Sequence, residues 1–290
     1  MARLRKGKNV LVLRTFRELD QVARAWADGH FKVIVLIGNP GLGKTRRFKA
    51  VVGQGALYLH GRVTPLQLYI AAYRHRNLLI VIDDVAGLIG DPLGVAVLKD
   101  LCQSEAEKTV AWRSSTKVLQ DENVPPDFKT TSPVAFITND WPTFDQKLSA
   151  LEDRAHLMVF DPRPLEIHLA AATWFEDQEV FDFIGENLYF MPGLSLRTYE
   201  QAAEFKAAGF AWQDPLIDPR KGWKRRLVAT LKLDQSFSSE EDRVKKFEEL
   251  GGGSRATYYR HARILAKLPP VPRILLSNAR QFGKNGETGK

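Results

Sequence analysis

The residues with the clearest chemical potential form a glycine-rich loop that directly follows a buried apolar run. The loop is a complete GxxxxGKT motif, in which glycines let backbone N–H groups turn towards phosphate oxygens. Its lysine reaches the β- and γ-phosphates, its threonine hydroxyl ligates Mg²⁺, and the helix expected next presents its N-terminus to the anion. A chance glycine turn lacks this strand–loop–helix context. We therefore predict a site for ATP and Mg²⁺ formed by Gly38, Asn39, Pro40, Gly41, Leu42, Gly43, Lys44 and Thr45.

An acidic pair ends a second apolar run, in the pattern of a Walker B element. Asp83 and Asp84 follow the apolar residues 78–82. In such a site Asp83 holds the metal, directly or through water, and Asp84 orients or deprotonates the attacking water. The alternative is that the pair only turns the chain or caps the next helix. The glycine-rich loop upstream favours the functional interpretation.

The elements that must position these loops alternate between strands and helices. Continuous β-branched runs are typical of parallel strands buried on both faces, and apolar residues at helical spacing separate them. This alternation predicts an α/β fold with a mostly parallel sheet. The expected strands are 9–13, 32–37, 58–59, 78–85, 134–138 and 157–160, and the expected helices are 15–29, 64–76, 92–104 and one from Lys44.

Composition excludes several classes of protein. The 290 residues are 44% hydrophobic, which is enough for a substantial core and excludes wholesale disorder. No apolar run approaches the roughly 20 residues of a membrane-spanning helix, and no apolar leader follows the basic residues 1–9. The single cysteine, Cys102, cannot form an intrachain disulfide, which is typical of a reducing compartment. We expect a cytoplasmic protein without a membrane partner.

Together with three further polar residues, the Walker elements give the chain a resemblance to the AAA+ ATPases. The resemblance covers residues 9–209. Asn139, after the strand 134–138, is similar to the sensor 1 residue, which lies between the Walker elements and positions water. Arg154 resembles the arginine finger that acts on ATP bound to a neighbouring subunit. Arg197 resembles the sensor 2 arginine of a helical lid. The alternatives are a turn residue, a surface ion pair and an exposed first-turn arginine, respectively.

The resemblance implies a P-loop AAA+ core at 1–162 and a helical lid at 163–218. An arginine finger acting in trans implies self-association into a ring or filament, with ATP at the subunit interfaces. One departure concerns hydrolysis, because most AAA+ motors carry Asp-Glu where this chain carries Asp83-Asp84. The shorter second side chain leaves two roles open for ATP, as fuel or as an assembly switch.

The basic surplus of the chain lies in its last quarter. Residues 219–290 hold 17 Lys and Arg against 7 Asp and Glu, whereas the preceding residues have a net charge of −2. Three short amphipathic helices around Gly251-Gly252-Gly253 predict a small all-α helix-turn-helix domain at 219–268, followed by a flexible tail at 269–290. The alternatives are a protein-docking module and a glycine hinge.

Localised charge and the three-helix pattern together favour duplex DNA as the partner. The third helix is expected to offer side chains to the major groove, and the first to offer cations to backbone phosphates. The candidate DNA-binding residues are Arg220, Lys221, Lys224, Arg225, Arg226, Arg255, Thr257, Tyr258, Arg260, His261 and Arg263.

The stretch 105–133 between Walker B and sensor 1 carries a second candidate contact to DNA. Its β-forming residues predict a hairpin at 109–119. The helicase and initiator branches of the AAA+ family, including superfamily 3 helicases, have a hairpin here that points basic residues into the ring pore. By this resemblance Arg113 and Lys117 are candidates, and the alternative is a solvated surface hairpin.

These patterns predict an AAA+ ATPase that binds DNA and oligomerises with ATP. The resemblance implies a role in replication initiation, in helicase action or loading, or in mobile-element transactions. Two alternatives are a translocating helicase similar to superfamily 3 and a non-motor regulator that uses ATP only to assemble on DNA. A small-molecule kinase leaves the basic C-terminal part unexplained.

Overall fold

The computed structural model describes residues 10–83, 88, 90–139, 153–191, 193–216, 222–274 and 276. Within these ranges the chain forms eight β-strands and eleven α-helices. They belong to two compact units, which divide between Arg163 and Pro164.

Six parallel strands form the central sheet of the first unit. The order across the sheet is β1-β8-β2-β7-β4-β3. Strand β2 is buried along its whole length, as its β-branched run predicts for a central parallel strand. The α/β class with a parallel sheet is therefore confirmed. The strands are β1 (Val10–Leu13), β2 (Val33–Gly38), β3 (Ala56–His60), β4 (Leu79–Asp83), β7 (Val134–Thr138) and β8 (His156–Phe160).

Helices of the first unit cover the sheet and begin where the sequence provides capping residues. Thr15 and Thr64 each form a capping box, and Asp91 accepts a hydrogen bond from the amide of Leu93. The apolar faces of the third and fourth helices pack on β2 and β4 in one core cluster. The helices are α1 (Phe16–Ala27), α2 (Lys44–Val52), α3 (Pro65–Arg74), α4 (Pro92–Leu101) and α5 (Lys117–Asp121).

A two-stranded antiparallel ribbon lies between the fourth and seventh strands of the chain. It consists of β5 (Lys108–Ala111) and β6 (Asp127–Thr130), and α5 lies in the connection between them. The predicted hairpin at 109–119 is therefore wrong in its return strand. The β-forming residues after Ala111 did not identify a partner, since strand pairing depends on the distant segment 127–130.

The second unit is helical in its described part. Asp177 caps helix α7 (Gln178–Asn187), because its carboxylate accepts a hydrogen bond from the amide of Val180. The helices are α6 (Pro164–Ala172), α7 (Gln178–Asn187), α8 (Leu196–Ala207), α9 (Trp223–Leu233), α10 (Glu240–Glu249) and α11 (Arg255–Ala266).

Helices α9, α10 and α11 form a three-helix module with its own apolar core. The core residues are Val228, Leu231, Val244, Phe247, Tyr258 and Ala262. The glycine turn before α11 is part of this packing. A Cβ atom on Gly252 would lie 2.4 Å from the Phe247 ring, and Gly251 has a φ of 76°. The turn is thus a fixed connection, which disfavours the hinge interpretation.

The segment after the module packs onto helices earlier in the same unit. The Tyr189 hydroxyl donates to the carbonyl of Pro269, and Gln178 bonds the backbone of both Ile274 and Leu276. The Leu276 side chain is buried. The first residues of the tail expected at 269–290 therefore adopt a defined path, because a polar side chain pairs with their backbone.

Candidate functional site

The glycine-rich loop connects the end of β2 to the start of α2, as predicted. Gly41 and Gly43 have φ values of 76° and 70°, in the left-handed region that favours glycine. A Cβ atom on Gly38 would lie 2.7 Å from the carbonyl oxygen of Phe160, so this position also requires glycine. Among the other predicted loop residues, Asn39 and Pro40 are exposed and Leu42 is buried. Glycines in this conformation let backbone amides turn towards an anion.

The Lys44 ammonium lies at the centre of the site and is only 6% exposed as a residue. Its Nζ donates to the carbonyls of Gly38 and Asn39 at 2.7 and 2.9 Å, and to Oδ1 of Asn139 at 2.9 Å. Burial lowers the pKa of Lys44 to about 8, although the nearby Asp83 carboxylate partly opposes this shift. The ammonium is thus held among neutral acceptors, where an added negative charge would stabilise it.

Thr45 and Asp83 form the second part of the site. The Thr45 hydroxyl donates to Oδ2 of Asp83 at 2.6 Å, so the predicted metal-binding residues of the two Walker elements meet. A hydroxyl and a carboxylate are hard oxygen donors of the kind that Mg²⁺ prefers. Asp84, predicted to act on the attacking water, lies outside the described residues.

Strand order explains why Asn139 reaches the lysine. Strand β7 lies between β2 and β4, so the residue after β7 falls between the two Walker elements at the carboxyl edge of the sheet. This is the position predicted for Asn139. The hydrogen bond from Lys44 to the Asn139 side chain was not predicted, because spacing along the chain does not show which other side chain the amide group of Asn139 contacts.

A paired arginine on α2 was missed by the sequence analysis. Arg47 donates two hydrogen bonds of 2.8 Å to the carboxylate of Asp20 on α1. The pair fixes α2, and with it the loop that α2 follows. In the sequence, the only sign of this pair is a basic residue on one helix and an acidic residue on another. The sequence contains many such combinations.

Arg154 and Arg197 are both exposed. Arg154 lies in the turn at 153–155 that precedes β8, and Arg197 lies in the first turn of α8. Arg154 belongs to the first unit and Arg197 to the second. An arginine that acts on a neighbouring subunit must be exposed, as Arg154 is. An ordinary surface arginine is exposed as well, so exposure alone does not distinguish the two roles.

The two candidate pore residues differ in their surroundings. Arg113 forms an ion pair with Asp100 of α4, at 2.9 Å, and this carboxylate also accepts from the amide of Ala111. Arg113 thereby ties β5 to α4. Lys117 is exposed and begins α5.

The predicted DNA-binding residues of the three-helix module fall into several groups. Tyr258 is 0% exposed and its hydroxyl donates to Glu240, so its predicted contact with DNA is wrong: it is a core residue. Arg226 donates to Oδ1 of Asn187 and packs on Phe190, so it faces the preceding helices. Arg220 and Lys221 lie outside the described residues. The remaining candidates are exposed or half-buried, namely Lys224, Arg225, Arg255, Thr257, Arg260, His261 and Arg263.

Comparison with known proteins does not identify the chain. No protein-family model matches it, and no curated protein matches it either. Throughout the described ranges, every helix is too short or too polar to cross a bilayer.

Proposed function

We propose that the chain is an AAA+ ATPase that binds ATP with Mg²⁺ in the first unit and duplex DNA through the three-helix module. The observation that carries the proposal is the convergence of Lys44, Thr45, Asp83 and Asn139 at one edge of a parallel sheet. These four residues come from three separate segments of the chain, and each has the chemistry that its place in a nucleotide site needs.

The residues of this site divide the work of binding a triphosphate. The amides of the loop and the N-terminus of α2 face the phosphate oxygens, and the Lys44 ammonium exchanges its carbonyl acceptors for the β- and γ-phosphates. Thr45 and Asp83 are the residues that would hold Mg²⁺, which when bound neutralises charge on the phosphates. The open glycine loop and the hydroxyl–carboxylate pair fit both groups.

The remaining polar residues of the proposal act on hydrolysis. Asn139 positions water beside the γ-phosphate, and Asp84 orients or deprotonates that water. In this proposal Arg154 reaches ATP on a neighbouring subunit and Arg197 takes the sensor 2 role. ATP at the interface then links subunits, and their basic modules gather on one DNA.

DNA is preferred over a small metabolite because of where the positive charge lies. The surplus of Lys and Arg falls in 219–290, and the helices there form a module with a separate core. A metabolite kinase needs no such module. Roles in replication initiation, helicase loading or mobile-element transactions all use an ATPase of this composition, and the proposal extends to that group.

The experiment is ATP hydrolysis measured with and without duplex DNA. Wild-type protein should hydrolyse ATP faster when DNA is present, and Lys44→Ala should abolish turnover because it removes the ammonium from the phosphates. Lys49→Ala is the matched control, since Lys49 is an exposed lysine of the same helix. Full turnover in Lys44→Ala contradicts the site.

The role of ATP as fuel or as an assembly switch is decided by Asp84→Asn. If ATP only drives assembly, this variant should still form ATP-dependent oligomers on DNA and retain function. If ATP is fuel, the variant should assemble but lose DNA-stimulated turnover.

A further inference from the structure

Two groups stand out among the cations of the three-helix module. One group pairs with carboxylates of α10 at 3.0–3.3 Å: Lys232 and Arg243 pair with Glu240, Lys246 pairs with Glu249, and Arg255 pairs with Glu241. These pairs neutralise the side of the module that α10 lines. Little net attraction for a polyanion remains on that side.

The second group, which we call the cationic cluster, consists of Lys224, Arg225, Arg260 and His261. In the described part of the chain, none of the four pairs with a carboxylate. Lys224 and Arg225 lie in the first turn of α9, and Arg260 and His261 lie on α11, which packs against α9. The Lys224 Nζ lies 3.5 Å from the point where a Cβ atom would stand on Gly253. Thr257 Oγ1 lies at the same distance from that point, so the ammonium is close to the start of α11.

Two buried nitrogens in the cationic cluster have no hydrogen-bond partner within the part of the chain that the structure describes. They are Nε of Arg225 and Nδ1 of His261. Among the described residues, the Arg225 guanidinium makes one hydrogen bond, a long one of 3.5 Å from Nη1 to the carbonyl of Tyr189. Buried polar nitrogens without partners cost free energy, and a bound ion is one of the ways in which native proteins satisfy them.

The charges of the cluster also act on one another. Burial lowers the pKa of His261, and the like charges of Arg260, Arg225 and Lys224 lower it further. Among the described residues, these three cations, from its own helix and from α9, are the charges that lower the pKa of His261. Gathering like charges is unfavourable until an anion arrives, and an anion among them would reverse the shift.

The first turn of α9 also attracts anions. Its N-cap is Gly222, with a φ of 78°, and no described side chain caps its amides. Uncapped amides at a helix N-terminus attract anions. Forked guanidinium groups beside them match the oxygens of a phosphate.

We propose that the cationic cluster binds a backbone phosphate of duplex DNA, so that DNA lies along the α9–α11 side of the module and away from the paired side lined by α10. The inference rests on the proposed DNA-binding function and deepens it. Contacts of this kind set the position of the protein on DNA and carry no sequence information. Arg255, a predicted DNA contact, belongs instead to the paired side.

The test measures binding of the full chain to a fluorescent 30-base-pair duplex of random sequence, without nucleotide, at several salt concentrations. Arg260→Ala should weaken binding about tenfold and reduce the slope of log K against log salt by about 0.9. Lys246→Ala is the matched control, because it removes an exposed but paired cation of α10, and it should leave the slope unchanged. The inference is overturned if Lys246→Ala lowers the slope and Arg260→Ala does not.

A second experiment measures the pH dependence of duplex binding and tests the role of His261. Phosphate favours the charged imidazolium, so wild-type affinity should rise as the pH falls through the pKa of His261, and His261→Gln should remove this rise. An identical rise in the variant overturns the assignment of His261 to the cluster.

The inference and the proposed function fail in different ways. In one outcome, the wild type binds duplex in a salt-sensitive way that Arg260→Ala and His261→Gln leave unchanged. That result overturns phosphate binding by the cationic cluster, and the proposed DNA binding stands. If the wild type binds ATP but no duplex at low salt, both the DNA part of the proposed function and the inference fail.

Discussion

Lys44 should make ATP binding depend on pH above neutrality. Its ammonium is buried among neutral acceptors, and burial lowers its pKa to about 8 from an unperturbed value of 10.5. Phosphates of bound ATP place negative charge beside this ammonium and raise its pKa in the complex. By linkage, the protonated lysine binds ATP more tightly than the neutral amine.

The size of the effect follows from the pKa. Below pH 8 most of the free protein already carries the proton, so the Kd for ATP should change little. At pH 9 about one molecule in ten is protonated, and because the lysine stays protonated in the complex the Kd should rise about tenfold over its value at pH 7.

The assay is a titration with a fluorescent ATP analogue from pH 6.5 to 9.5, with Mg²⁺ in excess. Lys44→Arg should bind with an affinity that is flat across this range, because a guanidinium stays charged. Lys49→Arg should retain the wild-type curve. A wild-type Kd that is flat to pH 9, or an equal rise in Lys44→Arg, would refute the assignment of the effect to the buried lysine.

Three other variants, two of them with a control variant, test the packing and the trans-acting role. Gly252→Ala should lower the melting temperature, since overpacking against the adjacent phenylalanine costs about 1–3 kcal/mol, whereas Gly251→Asn should be tolerated because asparagine accepts a positive φ. Arg113→Ala should lower the free energy of unfolding in urea by about 1–3 kcal/mol through the loss of its charged hydrogen bonds, and Lys117→Ala should leave it unchanged. Arg154→Ala should bind ATP normally yet lose DNA-stimulated turnover; normal turnover would exclude a finger role.

Much of the first unit was predictable from local patterns. Runs such as 33–37 and 134–138 are apolar or β-branched at every position, and glycine, proline and capping residues bound them. The GxxxxGKT loop defines its own conformation, because Gly41 and Gly43 must take positive φ. Local signals of this kind do not depend on the rest of the fold.

Features set by contacts between distant residues were not predictable. The pair Arg113–Asp100 depends on how β5 meets α4, and the Lys44–Asn139 bond depends on strand order. Tyr258 was misassigned for a related reason: a tyrosine on a basic helix suits both DNA and a core. Its burial is decided by Phe247 and by the Glu240 carboxylate that accepts from its hydroxyl.

The central claim is that Lys44, Thr45, Asp83 and Asn139 form a site for ATP. The most direct test is a calorimetric titration of ATP with Mg²⁺ into the wild type and into Lys44→Ala. The account predicts saturable binding of one ATP per chain in the wild type and none in the variant. Absence of binding to the wild type, or undiminished affinity in Lys44→Ala, would contradict it.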